Sequence, residues 1–428
     1  MLRIPPTLVV AFGIRIWFLL FRIVFGLGWH DSLWSPRFLL ASDGIALAGY
    51  VLTLAGLLEL ASRLTGPDAR AVRLSLVGVA LGVMFLIGNV ASNLDPSIWQ
   101  HEWLRQLNNY GWFGASLLTV LPLAIALMNR HTALATTAIV FALALAPPVF
   151  HLVESAGVRV DLIDAVLRIG ALGTQFALLL RFPVADVAPS RELAARGVRL
   201  TARAAVFRLV AAVLLVMLTM LFGAGTFGAL RWSAMVAETT NLVCLVLFAW
   251  GLLRVSYSAW PELPRWPVIV AASALLWCAG VVGSQLPWFY RLFWASEVRW
   301  SDLAPSLIAE MYSMTIPITY TLAFGLVAAA FGTFAHRRGD AELASEARTK
   351  GAAIVLFLLA SLAVAVWLVP HAGSHEASIA LSLLAGILNL AATYQLAQLC
   401  GSAAETLESE PGVPTATVVS DSIGGGTT

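Results

Sequence analysis

The chain has 428 residues, of which 59% are hydrophobic and only 12% charged, with a mean hydropathy of +0.84 and a formal net charge of +2. So little polar surface cannot cover a water-soluble globule of this length, and lipid is the expected solvent. The near-neutral balance gives no electrostatic footprint for nucleic acid, and Cys244, Cys278 and Cys400 lack the C-x-x-C spacing of a thiolate metal site or a disulfide framework.

A bilayer core of roughly 30 Å takes about 20 apolar residues of helix. In chain order such segments fall at 7–29, 39–62, 72–93, 111–128, 132–151, 162–182, 205–228, 236–258, 266–287, 306–334, 351–370 and 376–400. Alternation with a period of two is absent from them, which argues against barrel strands. The first segment lacks a small-residue cleavage site and carries Arg15 and Arg22, so it reads as a retained helix. The expected fold is all-α, a polytopic membrane protein of about twelve transmembrane helices in a 6+6 parallel repeat. Residues 1–183 form the first half, 184–204 a basic cytoplasmic linker, 205–400 the second half, and 401–428 an acidic, then Gly-rich, disordered tail. Two loops, Ile98 to Phe113 and Trp288 to Leu303, read as helices lying flat on the membrane, because Trp99, Trp103 and Leu107 recur every four residues.

The repeat rests on positional matches. An offset of 195 carries Asp43 to Glu238, Gly56 to Gly251, Gly88 to Gly283, Trp99 to Trp294 and Pro122 to Pro317; later the offset becomes 220, matching His151 to His371 and Gln175 to Gln395. Part of that change is assigned to a longer turn after the tenth helix, Ala335 to Lys350, than after the fourth, Asn129 to Thr132. With six helices per half the repeats are parallel.

Basic residues set the orientation. With the N-terminus inside, cytoplasmic segments hold 17 of the 26 Lys and Arg, including Arg63, Arg130, Arg208 and Arg337, against six on the other side. This places both termini in the cytoplasm of a bacterial-type inner membrane. Ten of the 15 Trp, Trp112 among them, then gather near the outer interface as amphipathic anchors.

The residues with chemistry to offer are histidines and intramembrane charges. His30, His151 and His371 end the first, fifth and eleventh helices, and His375 precedes the twelfth, so imidazoles from several helices reach the outer surface and are candidate ligands for haem iron or copper. Headgroup-facing interface residues are the alternative. His371 and His375 would share a face if helical, but Pro370 and Gly373 oppose a regular helix there. Arg15 and Arg22 lie two turns apart on one face, where a central Arg costs about 2.5–3.5 kcal/mol. They should face protein, with Asp43, Glu238 or haem propionates as partners in a buried charge network; snorkelling is the competing account of Arg15. Asp164 and Arg168 are spaced to pair along the sixth helix. Polar residues of the tenth and twelfth helices, including Tyr320, Asn389 and Thr393, either line a cavity or bond between helices. No H-E-x-x-H, G-x-S-x-G or phosphate-cradling glycine motif is present, so no catalytic residue is assigned.

Trp29-His30, Ala48-Gly49-Tyr50-Val51-Leu52-Thr53, Asn129-Arg130 and Phe150-His151-Leu152 together resemble the NnrS family of twelve-helix haem- and copper-containing membrane proteins. The likeness covers mainly the first 180 residues. It departs at the family's W-H-x-H-E-M signature, here Trp29-His30-Asp31-Ser32-Leu33-Trp34, which lacks the second histidine and the glutamate. The resemblance implies haem or copper at the outer side, a diffusible gas such as nitric oxide arriving through lipid, and a role in nitric oxide or respiratory stress. A secondary transporter of a small molecule, resembling the major facilitator architecture, is the alternative; its helix 5 would approach helix 8 and its helix 11 helix 2, putting His151 near Glu238 and His371 near Asp43. A non-catalytic membrane subunit is the third reading. If the topology holds, reporter fusions after Arg73 and after Asn109 will report opposite sides of the membrane; the same side for both would break the alternation at the third span.

Overall fold

The computed structural model describes residues 4–28, 36–94, 102–150, 160–184, 189–221, 227–294, 307–369, 371 and 374–409. Among them every long element is helical and no strand occurs, as lipid requires of a chain that must satisfy its peptide groups internally. The helices are α1 (Pro6–Gly28), α2 (Pro36–Arg63), α3 (Gly66–Leu94), α4 (Glu102–Leu127), α5 (Thr132–Ala144), α6 (Val160–Leu179), α7 (Arg191–Leu221), α8 (Phe227–Tyr257), α9 (Arg265–Trp294), α10 (Leu307–Arg338), α11 (Ala341–Ala363) and α12 (His375–Ser409). Each falls on one of the apolar segments read from sequence. Eight of them, α2, α3, α4, α7, α8, α9, α10 and α12, contain stretches long and apolar enough to cross a membrane.

The helices form two closed rings. In the first, each helix from α1 to α6 packs on the next and α6 returns to α1; in the second, α7 to α12 do the same and α12 returns to α7. The rings meet where α9 lies against α1 and α2, with a smaller contact from α8 to α1. Tyr257, ending α8, meets Thr7 at the start of α1 (2.9 Å) and donates to Glu59 Oε2 near the end of α2 (2.6 Å). Further along, a Cβ on Gly13 would lie 2.8 Å from Ser273 Oγ, and one on Gly280 3.0 Å from Ile45. Contacts ordered in this way make α1 and α9 run in the same direction. The principal pairs therefore differ from the major facilitator expectation: helix 5 with helix 8, and helix 2 with helix 11, are not among them.

Small residues set how closely the first two helices of each ring approach. A Cβ on Gly56 would sit 2.6 Å from Leu8 Cγ and 2.9 Å from Leu8 N; one on Gly251 would sit 2.4 Å from Thr201 Oγ1 and 2.9 Å from Gly197 O. Backbones gain dispersion contact only if no side chain intervenes, which is the usual basis of packing between helices in lipid.

Several boundaries move. The 184–204 segment, read as a linker, is mostly the start of α7, whose Arg196 pairs with Glu192 and whose Arg199 reaches Glu408 of α12. Those pairs give an Ala- and Arg-rich stretch of good helix formers a reason to stay helical. Residues 401–409, read as tail, continue α12 and bury Ala403 and Leu407. Residues 102–113 belong to α4 rather than to a separate flat helix. The longer turn expected at Ala335 to Lys350 shrinks to Gly339 and Asp340, because Gly339 adopts a φ of +74° and Asp340 caps α11 by accepting from Leu343 N at 3.0 Å. Replacing Gly251 by Leu should destabilise the protein by about 2 kcal/mol through overpacking, read as a lower thermal midpoint in detergent; an unchanged midpoint would contradict the close approach of α7 and α8.

Candidate functional site

The first ring encloses a cavity of about 220 Å³ lined by Arg15 of α1, Asp43 and Tyr50 of α2, Asn89 of α3, Trp112 of α4, and Arg168 and Gln175 of α6. Five of the six helices thus send a polar or aromatic side chain to one point. The placement follows from the helices themselves: the outer faces are apolar, with Met84 at 66% and Ile125 at 62% exposure, so polar groups turn inward.

Arg15 anchors the cavity. Its guanidinium carbon lies 3.9 Å from the centroid of the Tyr50 ring, and Nη1 is buried without a hydrogen-bond partner. This settles the sequence alternatives for Arg15 in favour of the protein interior, since a snorkelling side chain would carry its charge to the interface. Two glycines make the arrangement possible. A Cβ on Gly49 would lie 2.7 Å from Arg15 Cγ, and one on Gly82 2.6 Å from the Tyr50 ring. Trp112 meets Tyr50 edge-on with centroids 5.7 Å apart, so it forms a wall of the cavity. Across the cavity Arg168 Nε donates to Asp164 Oδ1 at 2.7 Å, the pairing expected from their spacing. Gln175 Nε2 and Asn89 Oδ1 are buried without partners.

The second ring holds a related but differently wired cavity of about 410 Å³, lined by Arg208 of α7, Glu238 and Asn241 of α8, Ser361 of α11 and Asn389 of α12. Arg208 lies 4.7 Å from the centroid of Tyr320 and donates to Thr393 Oγ1 at 3.1 Å, while the Tyr320 hydroxyl donates to Asn241 Oδ1 at 2.9 Å. Arg208 therefore lies within the second ring, against residues of α10 and α12. The tenth- and twelfth-helix polar residues serve in both expected ways, Tyr320 and Thr393 bonding between helices and Asn389 lining the cavity.

No protein-family model, no curated protein and no solved structure matches the chain.

The other residues singled out from sequence fall as follows. Asp43 and Glu238 sit on the second helix of each ring, each lining its own ring's cavity. Arg22 lies on α1, but its side chain is outside the described residues, as are His30, His151 and the His375 side chain. His371 is exposed after α11, with Nδ1 2.7 Å from Trp367 O. The expected contact of His371 with Asp43 is not matched by a principal helix pair, because α11 packs within the second ring and α2 meets that ring through α9; the expected contact of His151 with Glu238 involves a residue outside the described ones. Among the described residues no three His, Cys, Asp or Glu come together as a metal site. Cys244, Cys278 and Cys400 are buried and free.

Sequence reasoning missed Arg208, Asn89 and Asn241 as cavity residues, and Tyr50 as the platform for a cation. The available signal was an Arg about ten residues into the first helix of the first ring, followed by a Gly-Tyr pair on the second. If the Tyr50 face holds the Arg15 charge, Tyr50→Phe will stay within about 0.5 kcal/mol of the parent, whereas Tyr50→Leu will lose about 2 kcal/mol of stability. Equal thermal midpoints for the two variants would remove the cation–ring contact from the account.

Proposed function

We propose that the protein is an integral membrane protein of twelve spans, built from two parallel six-helix repeats in a bacterial-type cytoplasmic membrane with both termini inside. We further propose that it acts in the manner of NnrS-type haem- and copper-containing proteins in nitric oxide or respiratory stress. The observation that carries this reading is local. Gly49 and Tyr50, from the α2 stretch on which the resemblance rests, form the wall against which Arg15 is buried. Two of the matching residues thus border the polar interior of the first ring.

The repeat is supported by the same succession of neighbours in both rings, the glycine contacts at Gly56 and Gly251, and the shared direction of α1 and α9. The cytoplasmic placement of the termini is supported by the basic asymmetry, which stands at 16 to six once Arg208 is assigned to the interior.

For the metal, the candidate donors divide by chain order: His30 comes after α1 and His151 after α5, both outside the described residues, whereas His371 follows α11. His371 fits a ligand role in one respect: Nδ1 placed against a carbonyl leaves Nε2 as the ligating nitrogen. Haem or copper, when bound, would supply gas binding and electron transfer; the chain would contribute neutral imidazoles and a lipid-facing route for an apolar gas.

Gently purified protein, supplemented with haem and copper during growth, should show bound metal and a visible absorption spectrum, and His151→Ala should remove the metal or shift the spectrum. A colourless, metal-free parent protein would overturn the haem and copper reading.

A further inference from the structure

We infer that the first-ring cavity binds a small oxyanion or short carboxylate between Arg15, Arg168 and Gln175, a site that does not depend on any metal. The argument starts from unmet hydrogen bonding. Arg15 Nη1 and Gln175 Nε2 are donors, both buried, both without partners, and both on residues lining one cavity. A buried donor left unmade costs about 1–3 kcal/mol, and more when charged. Two of them on residues that line one space are most economically satisfied by one acceptor-rich ligand.

Charge points the same way. Arg15 and Arg168 line the same small cavity, where low polarity strengthens repulsion between like charges. Asp164 compensates Arg168 through the 2.7 Å bond, but Arg15 rests on the face of a neutral phenol ring with Nη1 unused. Asp43 also lines the cavity and is itself engaged; with Arg168 compensated by Asp164, Arg15 leaves room for at most one negative charge on a ligand. A guanidinium and an amide N–H together match the planar acceptor edge of a carboxylate, nitrite, nitrate or bicarbonate. Size narrows the class further. About 220 Å³ is below the range of drug-sized pockets and far too small for haem.

The second ring supplies the contrast. On the lining of the second cavity Arg208 is tied to Thr393, and the unpartnered atom is Asn389 Oδ1, an acceptor. The first cavity also carries an unpartnered acceptor, Asn89 Oδ1, but of the two cavities it is the one with unpartnered donors, Arg15 Nη1 and Gln175 Nε2, on its lining residues.

The test is thermal unfolding of detergent-purified full-length protein, titrated separately with sodium nitrite, nitrate, bicarbonate and acetate, ionic strength being held constant with sodium chloride, whose anion has no planar acceptor edge. At least one small anion should raise the midpoint saturably, and comparing the inorganic series with acetate identifies which source of the acceptor edge is preferred. Arg15→Gln should weaken the apparent affinity tenfold or more. Gln175→Leu, which leaves both arginines in place, should weaken it several-fold, so the inference remains testable if Arg15→Gln does not fold. Arg196→Gln, on an exposed surface pair, should leave it unchanged. No saturable shift for any of the four anions would mean that water fills the cavity and would overturn the inference, as would unchanged affinity in well-folded Gln175→Leu. Neither result bears on metal content, so failure here and failure of the haem and copper reading are distinguishable.

Discussion

Lipid offers no hydrogen bonds, and that constraint orders the rest of the molecule. Backbone groups must be satisfied within helices, and polar side chains must find partners inside the protein. Exposed Met84, Ile125, Leu356 and Ile387 line the outer surfaces of their helices, while Arg15, Arg168, Gln175, Arg208 and Asn389 are drawn into the ring interiors. Ring closure is the geometric answer. Six helices in a circle turn one narrow face of each toward a common axis, and the scarce polar residues are spent on that face.

Because the hydrophobic effect gives little reason for one apolar helix to prefer another in lipid, close packing has to supply it. Gly56 against Leu8, and Gly251 against Gly197 and Thr201, bring backbones nearly into contact at the same place in each ring. Where the rings join, Gly13 and Gly280 do similar work, and Thr7, Tyr257 and Glu59 close the basic end with hydrogen bonds. The interior site depends on this framework. Arg15 reaches the Tyr50 face only because Gly49 leaves room for its methylene stem, and Tyr50 lies flat only because Gly82 leaves room for its ring.

The two rings differ in the wiring of similar parts. Each has an Arg on its first helix over an aromatic ring, a carboxylate on its second, and an amide on its last. In the second ring the Arg and the ring hydroxyl are consumed by Thr393 and Asn241, which makes the cavity a structural network. In the first, the donors remain unspent. This difference is consistent with one ring retained for ligand and the other for scaffold.

The class of the molecule is legible in the sequence: apolar segments fall on each long helix of the described residues, and the i, i+4 spacing of Asp164 and Arg168 locates their bond. These are local properties, set by hydropathy and by the helical period. For Arg15 it left two alternatives, facing protein or snorkelling to the interface, since the penalty for a lipid-facing charge is met by either. It did not reveal what Arg15 meets. Tyr50, Asn89, Trp112 and Gln175 come from helices separated by tens of residues, and only ring closure brings them to one cavity. Arg208 looked cytoplasmic because it follows a run of arginines, and the start of α7 within that run is decided by pairing with α12. Helix existence is written in composition; helix neighbours are decided by which small residues let two backbones approach, and that choice belongs to the tertiary structure.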